Sequence, residues 1–141
     1  MTRSNNRKGW IRDLPDQRDA VYAAPLRTAA NPLPIYTDLR RQMPPVYDQG
    51  QLGSCTANAI AGAIQFERRR QKLTDWVPSR LFCYYNERAM EGTVLSDAGA
   101  SLRDGIKSVT QQGDCPENEW PYSENFTTQP VEACYQSAVK F

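Results

Sequence analysis

Apolar positions recur at helical spacing in several stretches, after a first third that shows no such period. Ala57, Ile60, Ala61 and Ile64 follow steps of three and four, which is one helical face. Ser54 behind Gly53 is a suitable N-cap, and no proline falls between Cys55 and about Lys72, so a first helix is predicted there. Ala59, Gly62 and Ala63 keep its remaining sides small, which suits close burial. Pro78-Ser79 opens a second helix with Leu81, Phe82, Tyr84, Tyr85 and Met90 as its bulk, ending near Gly92. A third spans Leu102 to Gln111, with Leu102, Ile106 and Val109 on one face and Gly113 as its stop. Asp114 to Pro130 reads as loop, and residues 131–140 as a last short helix.

Residues 1–34 read as irregular, mixing turn formers with large apolar anchors around Trp10, and Pro25, Pro32 and Pro34 keep the chain extended. They form an extended leader draped over the rest, or a pro-segment. Residues 35–48 also read as extended, and Gly50 and Gly53 mark a tight turn.

Composition narrows the function classes. With 141 residues, 40% hydrophobic and 23% charged, the chain is long enough for one globular domain with a core. A formal charge of +1 gives no electrostatic reason to expect a nucleic-acid or membrane partner. The basic run Glu67–Lys72 suits a solvated helix end, where the dipole favours positive charge. No apolar run approaches a bilayer span, and Met1 to Lys8 are polar with no apolar run after them, so no export signal is read and a cytoplasmic location is expected. The four cysteines, Cys55, Cys83, Cys115 and Cys134, form no Cys-x-x-Cys pair, and the sequence has no histidine. Free thiols are expected, with no metal and no cofactor.

The chemistry concentrates in Asp48-Gln49-Gly50-Gln51-Leu52-Gly53-Ser54-Cys55-Thr56-Ala57. This string puts a thiol on the first turn of a helix, behind a glycine turn. A helix N-terminus favours negative charge, hence the thiolate, which is the form that attacks a carbonyl carbon. The Cys55 N–H is among the donors a helix start leaves without a helical acceptor, well placed for an oxyanion. Gln49, across the turn, could supply a second donor. Glycines here let a substrate backbone approach closely. Without more, a buried inert cysteine at the start of an ordinary helix is the better reading.

The string Gln-Gly-x-x-Gly-Ser-Cys-x-Ala at a loop-to-helix junction resembles the active-site segment of the papain-like cysteine peptidases. Leu95-Ser96-Asp97-Ala98-Gly99-Ala100-Ser101 resembles that family's glycine-bearing loop, which pairs with the substrate backbone. Gln112-Gly113 and Glu119-Trp120-Pro121-Tyr122 resemble its helix end and the Tyr-Pro-Tyr-like segment after it. The similarity runs from about Asp38 to Tyr122. The leader Gly9–Asp19 and the run Arg80–Arg88 look like the bacterial and viral-type members.

The resemblance implies an α+β, papain-like fold, present mainly as its helical (left) half, with the β-rich right half largely missing. Residues 35–141 would be that truncated domain, behind the leader at 1–34. It implies Cys55 as nucleophile and Gln49 in the oxyanion hole. Gly53, Ser54, Gly99 and Ala100 would contact substrate, which would be a peptide or protein. Leu52 and Asp97 stand where many secreted relatives have a disulfide, so that bridge is absent. Thr56 replaces the usual tryptophan.

The family's histidine lies roughly 130–150 residues beyond the cysteine, farther than this chain reaches. A truncated peptidase, inactive or nearly so on its own, is therefore expected. The partner would be a C-terminal half, or a second copy meeting an exposed apolar face. A non-catalytic peptide-binding or regulatory module on the same half-fold is the alternative. A transglutaminase-like acyl-transferase is disfavoured by the early Gln49 and the leader.

Overall fold

The computed structural model describes residues 9–21 and 34–140. In chain order its elements are β1 (Trp10–Ile11), α1 (Cys55–Arg70), α2 (Arg80–Glu91), β2 (Ala100–Ser101), α3 (Leu102–Gln112) and α4 (Glu132–Ala138). Helix boundaries follow the capping chemistry. The Ser79 hydroxyl accepts the Phe82 N–H at 3.1 Å and starts α2, while Gly92, left-handed at φ 72°, ends it. Ser101 accepts the Asp104 N–H at 3.2 Å and starts α3. Ser54 holds the N-cap position of α1, but its side chain makes no cap hydrogen bond, because it is engaged elsewhere.

Helix α2 lies at the centre. One side packs Cys83 and Tyr84 against Ala57 and Ile60 of α1, with Ile64, Val109 and Phe126 around them. Its other side packs Phe82 against Cys115, Cys134 and Ala138, flanked by Trp120 and Tyr135. The loop after α3 is thereby held under α2, and Pro78 and Pro116 form an isolated bridge. The apolar side chains removed from water in these two clusters are the main stabilising term.

The apolar stripe of α3 is only partly turned to the core, through Val109. Gly105 and Ser108 face the core, whereas Leu102 and Ile106 are exposed. A Cβ on Gly105 would lie 2.4 Å from Ile60 Cδ1 and 2.6 Å from Glu87 Oε2. The interface is thus filled by long side chains from α1 and α2, and α3 meets them with its smallest residues. Ala59 and Ala63 are likewise exposed. They join Ile60, Ile64, Leu102, Ile106 and Val109 in lining an apolar groove of about 560 Å3.

Two other expectations are corrected. The 35–48 stretch is not extended throughout. Leu39 to Met43 form a turn, with the Gln42 N–H on the Leu39 carbonyl at 2.9 Å. The Asp38 carboxylate caps it by accepting the Arg40 N–H at 2.9 Å. Trp10 and Ile11 are not buried anchors, being 56% and 43% exposed. Backbone pairing holds this segment instead. Strand β1 runs parallel to β2, with Trp10 opposite Ala100 and Ile11 opposite Ser101. Asp13 accepts the Arg103 N–H at 3.0 Å, and Asp19 pairs with the Arg103 guanidinium at 2.8 Å. No described helix is long and apolar enough to cross a membrane.

Candidate active site

The turn before α1 is fixed by its own side chains. The Asp48 carboxylate accepts the Gly50 N–H at 2.9 Å, and Gly50 takes φ 59°, where a side chain would be strained. The Gln49 amide donates through Nε2 to the Leu52 carbonyl at 2.9 Å. Tyr122, arriving from the loop after α3, donates to the Gln49 carbonyl at 2.9 Å and shares a 2.5 Å hydrogen bond with the Ser54 hydroxyl. Asn58 donates to the same hydroxyl at 3.1 Å and to the Ser54 carbonyl at 2.8 Å. Ser54 is therefore fully buried, with its hydroxyl turned inward onto Tyr122 and Asn58.

Cys55 follows as the first residue of α1. It is half-buried, whereas Cys83, Cys115 and Cys134 are buried, and none of the four is in a disulfide. Burial, together with the charges of Glu87 and Asp114, raises the Cys83 thiol well above its ordinary value. Burial also raises Cys115, with Asp114 adding to it, and raises Cys134. These three are held as thiols, so a reagent meets Cys55 first. The first turn of α1 carries no acidic side chain, and its last turn carries Arg68, Arg69 and Arg70. The start of α1 therefore has neither a side-chain cap from Ser54 nor an acidic side chain of its own first turn to offset the helix dipole.

The glycine loop lies against this turn. Gly99 has φ 76°, and its N–H donates to the Tyr84 hydroxyl at 3.3 Å. The Ala100 N–H donates to the Gly9 carbonyl at 2.8 Å. Gly9 fits between the two segments: a Cβ there would lie 1.6 Å from the Gly53 oxygen, and one on Gly99 would lie 1.8 Å from the Gly9 oxygen. The structure thus brings Gly53, Ser54, Cys55, Gly99 and Ala100 into one region, with residues 9–11 paired along the edge.

Several supporting residues were not singled out from sequence. Asp97 accepts the Gly53 N–H where the resemblance only noted a missing disulfide. Thr56, next to the cysteine, donates to the buried Glu87 at 2.7 Å. Arg80 stacks on Tyr122 at 4.1 Å, pairs with Glu117 at 2.5 Å and donates to the Asp48 carbonyl at 3.0 Å. Tyr122 alone carried a usable signal, since it closes the Tyr-Pro-Tyr-like segment. The others depend on long-range approach. Among the described residues, no group of three or more His, Cys, Asp or Glu side chains could hold a metal ion.

No protein-family model matches the chain. Over 147 residues it is 39% identical to an uncharacterised peptidase C1-like protein, L477, of Acanthamoeba polyphaga mimivirus; the alignment covers 92% of this chain and 47% of that protein. It is 34% identical over 94 residues to cathepsin K of Gallus gallus, covering 63% of this chain and 26% of that one. Its fold matches the crystal structure of xylellain, a cysteine protease from Xylella fastidiosa. The TM-score is 0.84 at 43% identity, covering 96% of this chain and 57% of that structure.

Proposed function

Since the chain belongs to the papain-like cysteine peptidase family while spanning less than half the length of the curated relatives it matches, we propose that it carries the nucleophile side of a thiol-peptidase site. The observation that supports this most directly is Cys55 itself. It is the one cysteine that is not buried, and it stands at the head of α1 beside uncapped amides.

In this reading the Cys55 sulfur adds to the carbonyl carbon of a peptide bond. Charge collects on the carbonyl oxygen, where the Cys55 N–H and the Gln49 amide stabilise it. Gln49 is oriented for this by its bond to the Leu52 carbonyl. The C–N bond then breaks, the amine leaves with a proton, and water hydrolyses the thioester. A peptide would lie along Gly99–Ala100, held by backbone hydrogen bonds, with Gly53 and the Ser54 backbone beneath it. The proton shuttle must come from outside these 141 residues, which include no histidine. The chain alone is expected to cleave little or nothing.

Two surfaces complete the proposal. Residues 9–11 pair with the edge that a peptide would use, so the leader acts as a pro-segment. The face lined by Met43, Pro45, Val46, Tyr47, Asn58 and Gly62 encloses about 870 Å3 and is where the remainder of a peptidase domain would pack. Asn58 lies one turn after Cys55, so groups on that half would reach the sulfur. Met43 and Val46 are exposed here, at 42% and 98%, which also suits contact with a second copy.

The test is alkylation of the folded chain by iodoacetamide near pH 6, followed by peptide mapping. Cys55 should label far faster than Cys83, Cys115 and Cys134. Equal labelling of all four, or slowest labelling of Cys55, would remove the nucleophile assignment.

A further inference from the structure

Asp97 sits on the loop between α2 and β2 and takes no part in the chemistry above. Its carboxylate accepts the Gly53 N–H through both oxygens, at 2.9 and 3.1 Å. It also accepts the Tyr84 phenol O–H at 2.5 Å. The same phenol oxygen accepts the Gly99 N–H at 3.3 Å. Gly53 stands two residues before Cys55, and Gly99 opens the edge on which Ala100 takes a backbone partner. One carboxylate and one phenol therefore tie the nucleophile turn to the peptide-pairing edge, across 44 residues of sequence. No disulfide does so, since all four cysteines are free.

The surroundings hold this link in one geometry. A Cβ on Gly53 would lie 3.1 Å from Asp97 Oδ1 and 3.4 Å from the Tyr84 oxygen, so the turn sits directly on the pair. Tyr84 is fully buried and cannot swing to solvent. Arg88, fully buried as well, donates to the Val94 and Ser96 carbonyls at 2.9 and 3.1 Å, fixing the loop that presents Asp97. Its guanidinium lies 4.1 Å over the Tyr84 ring and supplies a nearby positive charge for the carboxylate. Hydrogen bonds to an ionised acceptor are roughly twice as strong as neutral ones, so Asp97 is a suitable residue type for a non-covalent tie.

We propose that Asp97 is a positioning residue for Cys55: through Gly53 and Tyr84 it fixes the turn carrying the sulfur and the oxyanion donors at a set distance from the Gly99–Ala100 edge. A peptide held on the edge then presents its carbonyl to Cys55 in register. Tyr84 is the second member of the device. The proposal rests on Cys55 being the nucleophile, and the experiment separates the two.

Two reagents alkylate Cys55 by displacement of halide. Iodoacetamide reads the reactivity of the thiol alone. A peptidyl chloromethyl ketone reads that reactivity multiplied by correct placement of a backbone on the edge. The ratio of the two rates is taken on the full chain in a Gly9→Val background, so that the leader does not compete for the edge. Asp97→Ala should lower the ratio by about tenfold, the size expected for losing a charge-assisted hydrogen bond. Asp97→Asn keeps the shape and one acceptor oxygen and should recover part of it. Tyr84→Phe should lower it too. Hydrogen exchange at the Gly53 and Gly99 amides should accelerate together in Asp97→Ala.

An unchanged ratio in both Asp97 variants would overturn the proposal, as would a ratio near one in the parent. If Asp97→Ala does not fold, Asp97→Asn and Tyr84→Phe carry the comparison. Failure of the nucleophile reading looks different: Cys55 in the parent would then react with iodoacetamide no faster than the three buried cysteines.

Discussion

The carbonyl of Gly9 accepts the N–H of Ala100 at 2.8 Å, and residues 9–11 join the Gly99–Ala100 edge at that hydrogen bond. Close approach of two backbones is what permits it. Only a residue without Cβ fits at position 9, because a Cβ would fall on the Gly53 carbonyl group.

Gly9→Val should therefore unpair the leader without touching Cys55. Backbone atoms of Gly53 cannot yield as the tip of a side chain would. Exchange of the Ala100 amide should speed up by about tenfold, in line with local opening of a two-residue pair. Alkylation by a peptidyl chloromethyl ketone should rise, while the iodoacetamide rate stays within about twofold. If the peptide reagent gains nothing, residues 9–11 do not guard the edge.

Glu87 predicts a pH dependence of stability. It is fully buried, bonded to Thr56 through one oxygen, with no hydrogen-bond partner on Oε2. Burial raises it from 4.5 to about 8; the Thr56 bond opposes this, Glu91 adds to it and Arg88 opposes it. The folded state thus keeps the proton that the unfolded chain releases above 4.5. Stability is fully present below 4.5 and is lost as pH rises towards about 8. The slope is at most about 1.4 kcal/mol per pH unit. Urea midpoints measured from pH 5 to pH 8 should fall more steeply for the parent than for Glu87→Gln, in which Asp114, raised by burial as well, keeps a slope of the same sign. Parallel curves would show that Glu87 is ionised in the fold.

Gly105→Ala sets two effects against each other. Alanine in a helix interior gains about 1 kcal/mol over glycine. Here the new methyl would meet Ile60 and Glu87 at 2.4 and 2.6 Å, and both are buried. Overpacking of this kind costs about 1–3 kcal/mol, so the clash should win. Urea unfolding should show a net loss of about 1 kcal/mol with an unchanged slope. A stabilised variant would mean that α3 shifts freely on α1.

These cases also mark how far the sequence could be read. The ends of α2 and α3 were legible because Ser79, Gly92 and Gly113 act locally, through bonds within a few residues. The position of Cys55 at a helix start was legible for the same reason. The facing of α3 was not. Periodicity marks Leu102, Ile106 and Val109 as a stripe, but not that Ile60 and Glu87 already fill the space beside α1. Nor could Trp10 and Ile11 be read as exposed, since the leader is held by backbone pairing and by Arg103 rather than by their side chains. The partners of Asp97 lie 13 and 44 residues away, and its sequence neighbours do not point to them.

Arg80 provides the last test, because it joins fold and site. Its guanidinium donates twice to Glu117, through Nε at 3.2 Å and Nη2 at 2.5 Å, and its backbone N–H donates to the same carboxylate at 3.2 Å. It lies between Tyr122 and Tyr47, 4.1 and 4.9 Å from their ring centres. Both partners are largely buried, with side chains 12% and 19% exposed. Arg80→Met leaves Glu117 without its counter-charge and should cost about 3–5 kcal/mol. Adding Glu117→Gln removes the stranded charge and should restore a large part of that. Full recovery is not expected, because Arg80 also donates to the Asp48 carbonyl and to Asn58 at 3.0 and 3.3 Å. The unrecovered part should appear at Cys55. Tyr122, no longer stacked, would hold the Gln49 carbonyl and the Ser54 hydroxyl less firmly. The double variant should then be stable yet show an altered iodoacetamide rate at Cys55. A double variant with parental stability and parental Cys55 reactivity would confine Arg80 to neutralising Glu117.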